Sequence, residues 1–358
     1  MRAGLVARVR KRCAVVALTI AALTPMLAAC SNPGSAATSD VAWVTTGASV
    51  TDPGIAVTPV DLDNHHAEDH VPLGSLPSAL AYTAGDAGLL VVTRGDDTLH
   101  EIDPATHDVM HNVSVGVEPN AVAVAPGGTG GKGIALVANF DSNNVTPVDL
   151  GTWRAGTPIP VGQQPVAIAV ASPGGRSNAN GNAIAFVADF GSNQVTPILL
   201  PTLRAASPIA VGPSPQAIAT TAGQLLVGNF GNHTLTGISI MSARPPYTVA
   251  LPFNPTGIAV PTSDRPDPAG TRVYVCGGAG AVPVRVGGLA SLLGRPLTVG
   301  TQIALPNVAQ GIALNRDDTT AWVTQQAGSI VPVNLRTRAV GHAVHLGGHP
   351  SAIVIGPG

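Results

Sequence analysis

Residues 116–149, GVEPNAVAVAPGGTGGKGIALVANFDSNNVTPVD, contain the unit from which most of the chain is built. A Gly-x-x-Pro turn, Gly116 to Pro119, opens onto the small apolar run Pro119-Asn120-Ala121-Val122. A second apolar run ends in Leu136-Val137-Ala138-Asn139, and a polar turn leads to a third, Asn144-Val145-Thr146-Pro147-Val148-Asp149. A fourth returns the chain to the next Gly-x-x-Pro. Short runs rich in Val, Ile and Ala, punctuated by Gly, Asn, Asp and Pro, read as strands joined by tight turns.

The unit recurs. Its opening returns at Pro165-Val166-Ala167-Ile168 and Pro215-Gln216-Ala217-Ile218. Looser copies are Pro77-Ser78-Ala79-Leu80, Pro255-Thr256-Gly257-Ile258, Ala309-Gln310-Gly311-Ile312 and Pro350-Ser351-Ala352-Ile353. Along the chain the spacings are 42, 46, 50, 40, 54 and 41 residues, the size of a four-stranded propeller blade. Matching tetrads close the second run: Trp43-Val44-Thr45-Thr46, Val91-Val92-Thr93-Arg94, Leu136-Val137-Ala138-Asn139, Phe186-Val187-Ala188-Asp189, Leu226-Val227-Gly228-Asn229, Tyr274-Val275-Cys276-Gly277 and Trp322-Val323-Thr324-Gln325.

These repeats predict an all-β, seven-bladed β-propeller with four-stranded antiparallel blades over residues 40–358. The C-terminal run Ser351 to Ile355 supplies only a first strand, while the N-terminal part from Trp43 to about Val71 supplies the other three. One composite blade therefore closes the ring and removes both free edges. Proline stands in the third run of five units, at Pro59, Pro147, Pro197, Pro283 and Pro332. It has no N–H for the ladder, so it is expected at a bulge or with its missing donor turned from both neighbours.

Composition agrees. Charged residues are 11 % of the chain, against about 25 % in a typical soluble domain, and aromatics are 3 %, so Val, Ile, Leu and Ala must build the core. This excludes a coiled coil, a disulfide scaffold and a basic nucleic-acid binder.

The first residues read as an export signal. Arg2, Arg8, Arg10, Lys11 and Arg12 precede an uncharged run from Cys13 to Met26, too short to span a bilayer. The run ends in Leu27-Ala28-Ala29-Cys30, which resembles the bacterial lipobox. That resemblance implies a cleaved signal peptide over 1–29, a lipidated (palmitate-bearing) Cys30 and a flexible tether over 30–39. An ordinary secretory signal with an incidental Cys30 is the alternative. The expected location is the outer side of the cell membrane, reached through the lipid anchor. Removal of the signal leaves 13 basic and 20 acidic side chains, a net charge of −7 that disfavours nucleic acid. The composition suits a GC-rich, actinobacterial source.

With Asn139-x-x-x-Asn143 and Val145…Val148-Asp149 in order, the repeat resembles the YVTN-type β-propeller family across nearly all of 40–358. The resemblance implies fold rather than function, because its motif residues are those that build blades.

Turns between second and third strands should share the axial face with the Gly-x-x-Pro connections. That places Arg94, Asn139, Asp189, Asn229 and Gln325 as candidate ligand-binding residues, against the reading that Asn and Asp cap their own turns. The stretch Asp63-Asn64-His65-His66-Ala67-Glu68-Asp69-His70 offers His65, His66 and His70 as metal ligands by type, although at the outer rim. Cys276 falls in a slot for small side chains and reads as a buried thiol. No catalytic motif is present, no cofactor is expected, and axial carboxylates are scarce: Glu118 and Asp189.

The sequence therefore predicts a monomeric, non-catalytic envelope lipoprotein that binds an envelope protein, a glycan or a small polar ligand. A propeller hydrolase or lyase, of lactonase or streptogramin-lyase type, using axial carboxylates is the second reading. A metal-binding envelope protein is the third.

Overall fold

The computed structural model describes residues 40–47, 56–74, 76–171, 183–200, 202–221, 223–240, 246–261, 271–286 and 297–357. The signal segment, Cys30 and the tether lie outside the described residues. From Thr38 onward the chain forms one compact unit, made of seven antiparallel sheets. We number these as blades 1 to 7 in chain order and their strands as first to fourth from the axis outward.

The predicted architecture is the observed one. Blade 1 is the composite: Asp40–Gly47 pairs on one side with Ala56–Asp61 and on the other with the closing strand His349–Pro357. Blades 2 to 7 begin at Pro77, Pro119, Pro165, Pro215, Gly257 and Ala309. Each second strand is sandwiched in register between the first and third strands of its own blade, as in blade 3, where Val137 faces Val122 and Thr146.

The core lies between blades. Side chains alternate along a strand, so Leu136 and Ala138 pack toward blade 4 while Ala135 and Val137 pack toward blade 2. Seven apolar clusters result, one for each pair of neighbouring blades, including blades 7 and 1 around Trp322, Val44 and Val60. Small first-strand residues let seven strands converge on the axis. The interior thiol of Cys276 belongs to one such layer, and burial pushes its pKa up to about 12.

The third-strand prolines have a different solution from either one expected. Each pairs without a bulge with its second strand, as Pro147 does with Leu136. Its carbonyl points outward and accepts from the fourth strand: Pro59 from Glu68, Pro147 from Gly156, Pro197 from Ala206, Pro283 from Gly300 and Pro332 from Gly341, at 2.7–2.9 Å. The missing N–H points the same way. The fourth strand therefore breaks opposite the proline ring, into pieces such as Arg154–Ala155 and Ile159–Pro160. Blades 2 and 5 carry Glu101 and Gly237 at this position, and there the fourth strands Val109–Ser114 and Tyr247–Ala250 run unbroken.

The close approach of the ring fixes its outer neighbour. A Cβ on Gly341 would stand 2.8 Å from Pro332 Cγ, and one on Gly300 2.8 Å from Pro283 Cγ. Gly341→Ala is expected to cost about 1–3 kcal/mol by overpacking, and most of that cost should vanish when Pro332→Ala is made in the same chain. Thermal or denaturant unfolding of the four proteins checks this; a cost unchanged without the proline ring would refute it.

Candidate functional site

The turn face, where second strands turn into third strands, is assembled from two kinds of main-chain corner. The Asn or Asp that ends a second-to-third turn has positive φ, as do Asp97, Asn143 and Asn193. The residue before the proline of the crossover also has positive φ, as do Glu118, Gln164 and Ser214. The two corners latch neighbouring blades together. Asp97 accepts from the Glu118 N–H, Asn143 from Gln164 and Asn193 from Ser214, each at 2.8 Å. Serines add a second tie: Ser142 accepts from the Val117 N–H at 2.8 Å and Ser192 from Gln163 at 2.6 Å.

Beneath this layer sit four of the five side chains singled out from sequence. Asn139, Asp189, Asn229 and Gln325 are fully buried. Asn139 donates to Asn144 Oδ1 at 2.7 Å and Thr146 Oγ1 at 2.9 Å, and accepts from the Gly116 N–H at 3.2 Å. Asn229 donates to Thr234 and Thr236 at 2.9 and 2.8 Å. Gln325 donates to the Asn307 carbonyl at 3.2 Å and accepts from Ser329 at 3.3 Å. All three bond the third strand of their own blades, and Asn139 and Gln325 also bond the crossover, while the buried Asn229 Oδ1 has no partner. The glycine of Gly-x-x-Pro is needed for this fit: a Cβ on Gly116, Gly162 or Gly212 would lie 2.6–2.7 Å from the brace beneath it.

Arg94 is not the fifth member. Registers place Thr93 opposite Thr98 and Pro77, where Asn139 stands opposite Asn144 and Pro119. The tetrad of blade 2 is therefore Leu90-Val91-Val92-Thr93. The doubled valine lets either frame satisfy the sequence pattern, and only the turn length separates them. Thr93 donates to Asp96 and bonds His100 at 3.1 Å. Arg94, one residue on, is part-exposed and pairs with Glu118 at 3.2 Å.

The phenylalanines of this face were missed from sequence. Phe140, Phe190 and Phe230 follow the braces of three consecutive blades, and none is buried. Three of the chain's five phenylalanines share one offset from the tetrad, a signal that was available. Between blades 3 and 4, Phe140, Asp141, Asn143, Gln163, Gln164 and Gly191 line an open cavity of about 290 Å³. An aromatic edge among amides and one carboxylate offers apolar contact and several hydrogen bonds together.

The other candidates do not converge. His65 packs edge-on against Trp322, with ring centroids 5.2 Å apart, His70 bonds Thr58 at 2.7 Å, and His66 is exposed in the outer strand. Among the described residues no three His, Cys, Asp or Glu side chains gather to hold a metal. Glu118 is engaged by Arg94, in the crossover into blade 3, while Asp189 is sealed within blade 4.

Asp189 is the electrostatic anomaly of the set, a carboxylate where blades 3 and 5 use an amide. Burial pushes its pKa up to about 6, against a lowering by the Thr196 hydroxyl, which donates to it at 2.5 Å. A raised folded pKa means that the fold favours the protonated acid. Stability is then greatest below pH 4, falls as pH rises from about 4 to about 6, and is flat above. Asp189→Asn, which supplies the amide used by Asn139 and Asn229, should stabilise the fold at pH 7 by about 1–3 kcal/mol. It should also abolish that pH dependence; denaturant unfolding at pH 4 and pH 7 is the check, and equal stability of both proteins at pH 7 would count against it.

No family model matches the chain, and no curated protein matches it. Solved structures match in fold. A functionally unknown protein from Desulfotomaculum acetoxidans DSM 771 is 15 % identical, over 88 % of this chain and 98 % of that one, with a TM-score of 0.72. Hydrazine synthase of Kuenenia stuttgartiensis is 16 % identical over 80 % and 91 %, with a TM-score of 0.65. A candidate 6-phosphogluconolactonase from Bacteroides uniformis ATCC 8492 is 13 % identical over 89 % and 99 %, with a TM-score of 0.66. At these identities the likeness is one of fold.

Proposed function

We propose that this chain is a YVTN-type propeller lipoprotein of the bacterial envelope, a non-catalytic scaffold that binds a polar partner on its turn face. The observation that carries the reading is the contrast between two layers of that face. Buried braces and inter-blade latches hold the main chain rigid, while Phe140, Phe190, Phe230 and their amide neighbours stay open to solvent. A rigid platform with aromatic and amide side chains suits a glycan or a polar peptide, because little order must be gained on binding.

A lipid attachment at Cys30 would belong to this arrangement. The described chain starts at Asp40, at the end of its strand away from the turn face. Replacing Cys30 by Ala should abolish incorporation of labelled palmitate and release the protein from membranes; retained label would show an ordinary secretory signal or another anchor.

The hydrolase or lyase reading finds less support here. Its two carboxylates, Glu118 and Asp189, sit in separate places, one ion-paired and one shut away from any substrate.

Crosslinking in the intact envelope, with mass spectrometry of neighbours and soluble glycans as competitors, tests the binding face. Phe140→Ala, Phe190→Ala and Phe230→Ala combined should weaken capture at least tenfold without shifting the thermal midpoint. By contrast, alanine at Asn139 removes the acceptor of the part-buried Gly116 N–H and leaves two third-strand acceptors of its buried amide unpaired, and should cost about 1–3 kcal/mol. Unchanged capture by the folded phenylalanine variant would remove the turn face from consideration.

A further inference from the structure

The phenylalanines of the turn face are one local feature repeated three times. Phe140-Asp141, Phe190-Gly191 and Phe230-Gly231 open the second-to-third turns of blades 3, 4 and 5, each directly after its brace. The same main-chain bond places all three. The Phe140 N–H donates to the Glu118 carbonyl at 2.8 Å, Phe190 to Gln164 at 3.0 Å and Phe230 to Ser214 at 2.9 Å. With a buried brace beneath each turn, the three positions are related by the rotation from one blade to the next.

Elsewhere in the ring the feature stops. The residue after the brace is Gly47 in blade 1, Arg94 in blade 2, Gly278 in blade 6 and Gln326 in blade 7. The aromatic positions therefore form one arc over three consecutive blades. Among the described residues none of the three rings belongs to an inter-blade apolar layer, whereas Phe186 and Phe253 do. Core packing does not account for them.

The arc is nearly uncharged. Above the braces, only Asp141 brings a carboxylate to these turns and only His233 an imidazole. The cavity between the first two blades of the arc adds the carboxamides of Gln163 and Gln164, which both donate and accept. A polymer of one charge would meet no matching array of the other here.

We propose that the arc binds a linear, neutral glycan laid across blades 3, 4 and 5, an inference that rests on the turn face being the binding face. Like subsites in a row match a ligand that repeats its own chemistry. One face of a pyranose ring is lined by C–H groups and packs on an aromatic ring, while its hydroxyls reach amides at the edge. Face-packed sheets stand about 10 Å apart, close to the span of a disaccharide, so successive phenylalanines meet every second sugar. A short oligomer then engages one ring and a longer one all three, each further contact being made within a complex already formed.

Calorimetric titration of the full chain with linear glucose, mannose and galactose oligomers of two, four, six and eight units tests this. In at least one series affinity should climb at least fivefold from two units to four and again from four to six, then level off at eight. Phe190→Ala breaks the arc at its centre. It should weaken hexasaccharide binding at least tenfold, while a disaccharide, still served by Phe140 and Phe230, should lose no more than about twofold in affinity. Phe190→Tyr should restore the hexasaccharide, and the thermal midpoint should stay in place in both variants. Binding in none of the series overturns the glycan, as does binding that ignores oligomer length or Phe190→Ala. Envelope crosslinks that still require the three phenylalanines would in that event keep the turn face and make its partner a protein. Crosslinks indifferent to them would remove the face as well.

Discussion

Seven strands meeting at an axis leave the crossover from one blade to the next with main-chain groups that neither sheet can satisfy. The side chain at the end of the second strand meets that need. Asn139 does it most completely, taking a crossover N–H with its oxygen and giving both amide hydrogens to the third strand. In blade 3 the turn face depends on this contact: it holds the Gly-x-x-Pro corner, the corner positions Glu118, and the Glu118 N–H is what Asp97 of blade 2 captures. The latch between blades is thus built on a brace within a blade, and a ring made only of nearest-neighbour contacts becomes cooperative.

The opposite edge obeys another constraint. A third-strand proline cannot supply its outer neighbour with an N–H, so the outer strand splits and a groove opens beside it. Where Glu101 or Gly237 replaces proline, the strand is continuous. Proline also blunts the rim against edge pairing with other chains. The grooves differ in chemistry because they are lined by turn residues and strand ends, which the hydrophobic layers leave unconstrained. A histidine meets Trp322 in one, another meets Trp43, with centroids 5.1 Å apart, and arginines crowd a third.

This division explains what the sequence disclosed. Blade number, strand order and the composite seam were legible because they rest on period, and period survives substitution. The slip at Arg94 arose where two valines, Val91 and Val92, made two frames equivalent; hydrogen-bond register, absent from composition, decides between them. The braces were recognised as a set, but not their depth. An Asn in a turn and an Asn beneath a turn look alike in a sequence, and only the glycine three residues before each proline marks the difference, since a Cβ there would collide with the brace. The rim cavity between blades 6 and 7, lined by Arg272, Arg285 and Arg338, was beyond sequence reading. Arg272, Arg285 and Arg338 are scattered along the chain, and the groove exists only because blade 7 lays its turn against blade 6.

Function has to be argued from such places rather than from the ring. Solved structures of the same shape include a hydrazine synthase and a candidate lactonase, so the scaffold itself selects no chemistry. What it supplies is separation. The turn face has crossover N–H groups held by side chains of its turns and offers aromatic and amide side chains, which favours contacts of shape and hydrogen bonding. The groove face, fractured by proline, is lined by turn residues and strand ends of varied charge. A partner bound at the turn face, as proposed, would leave the groove face unaltered. Such binding would not need the ring to change conformation, because it would be carried by side chains that the inter-blade layers do not use.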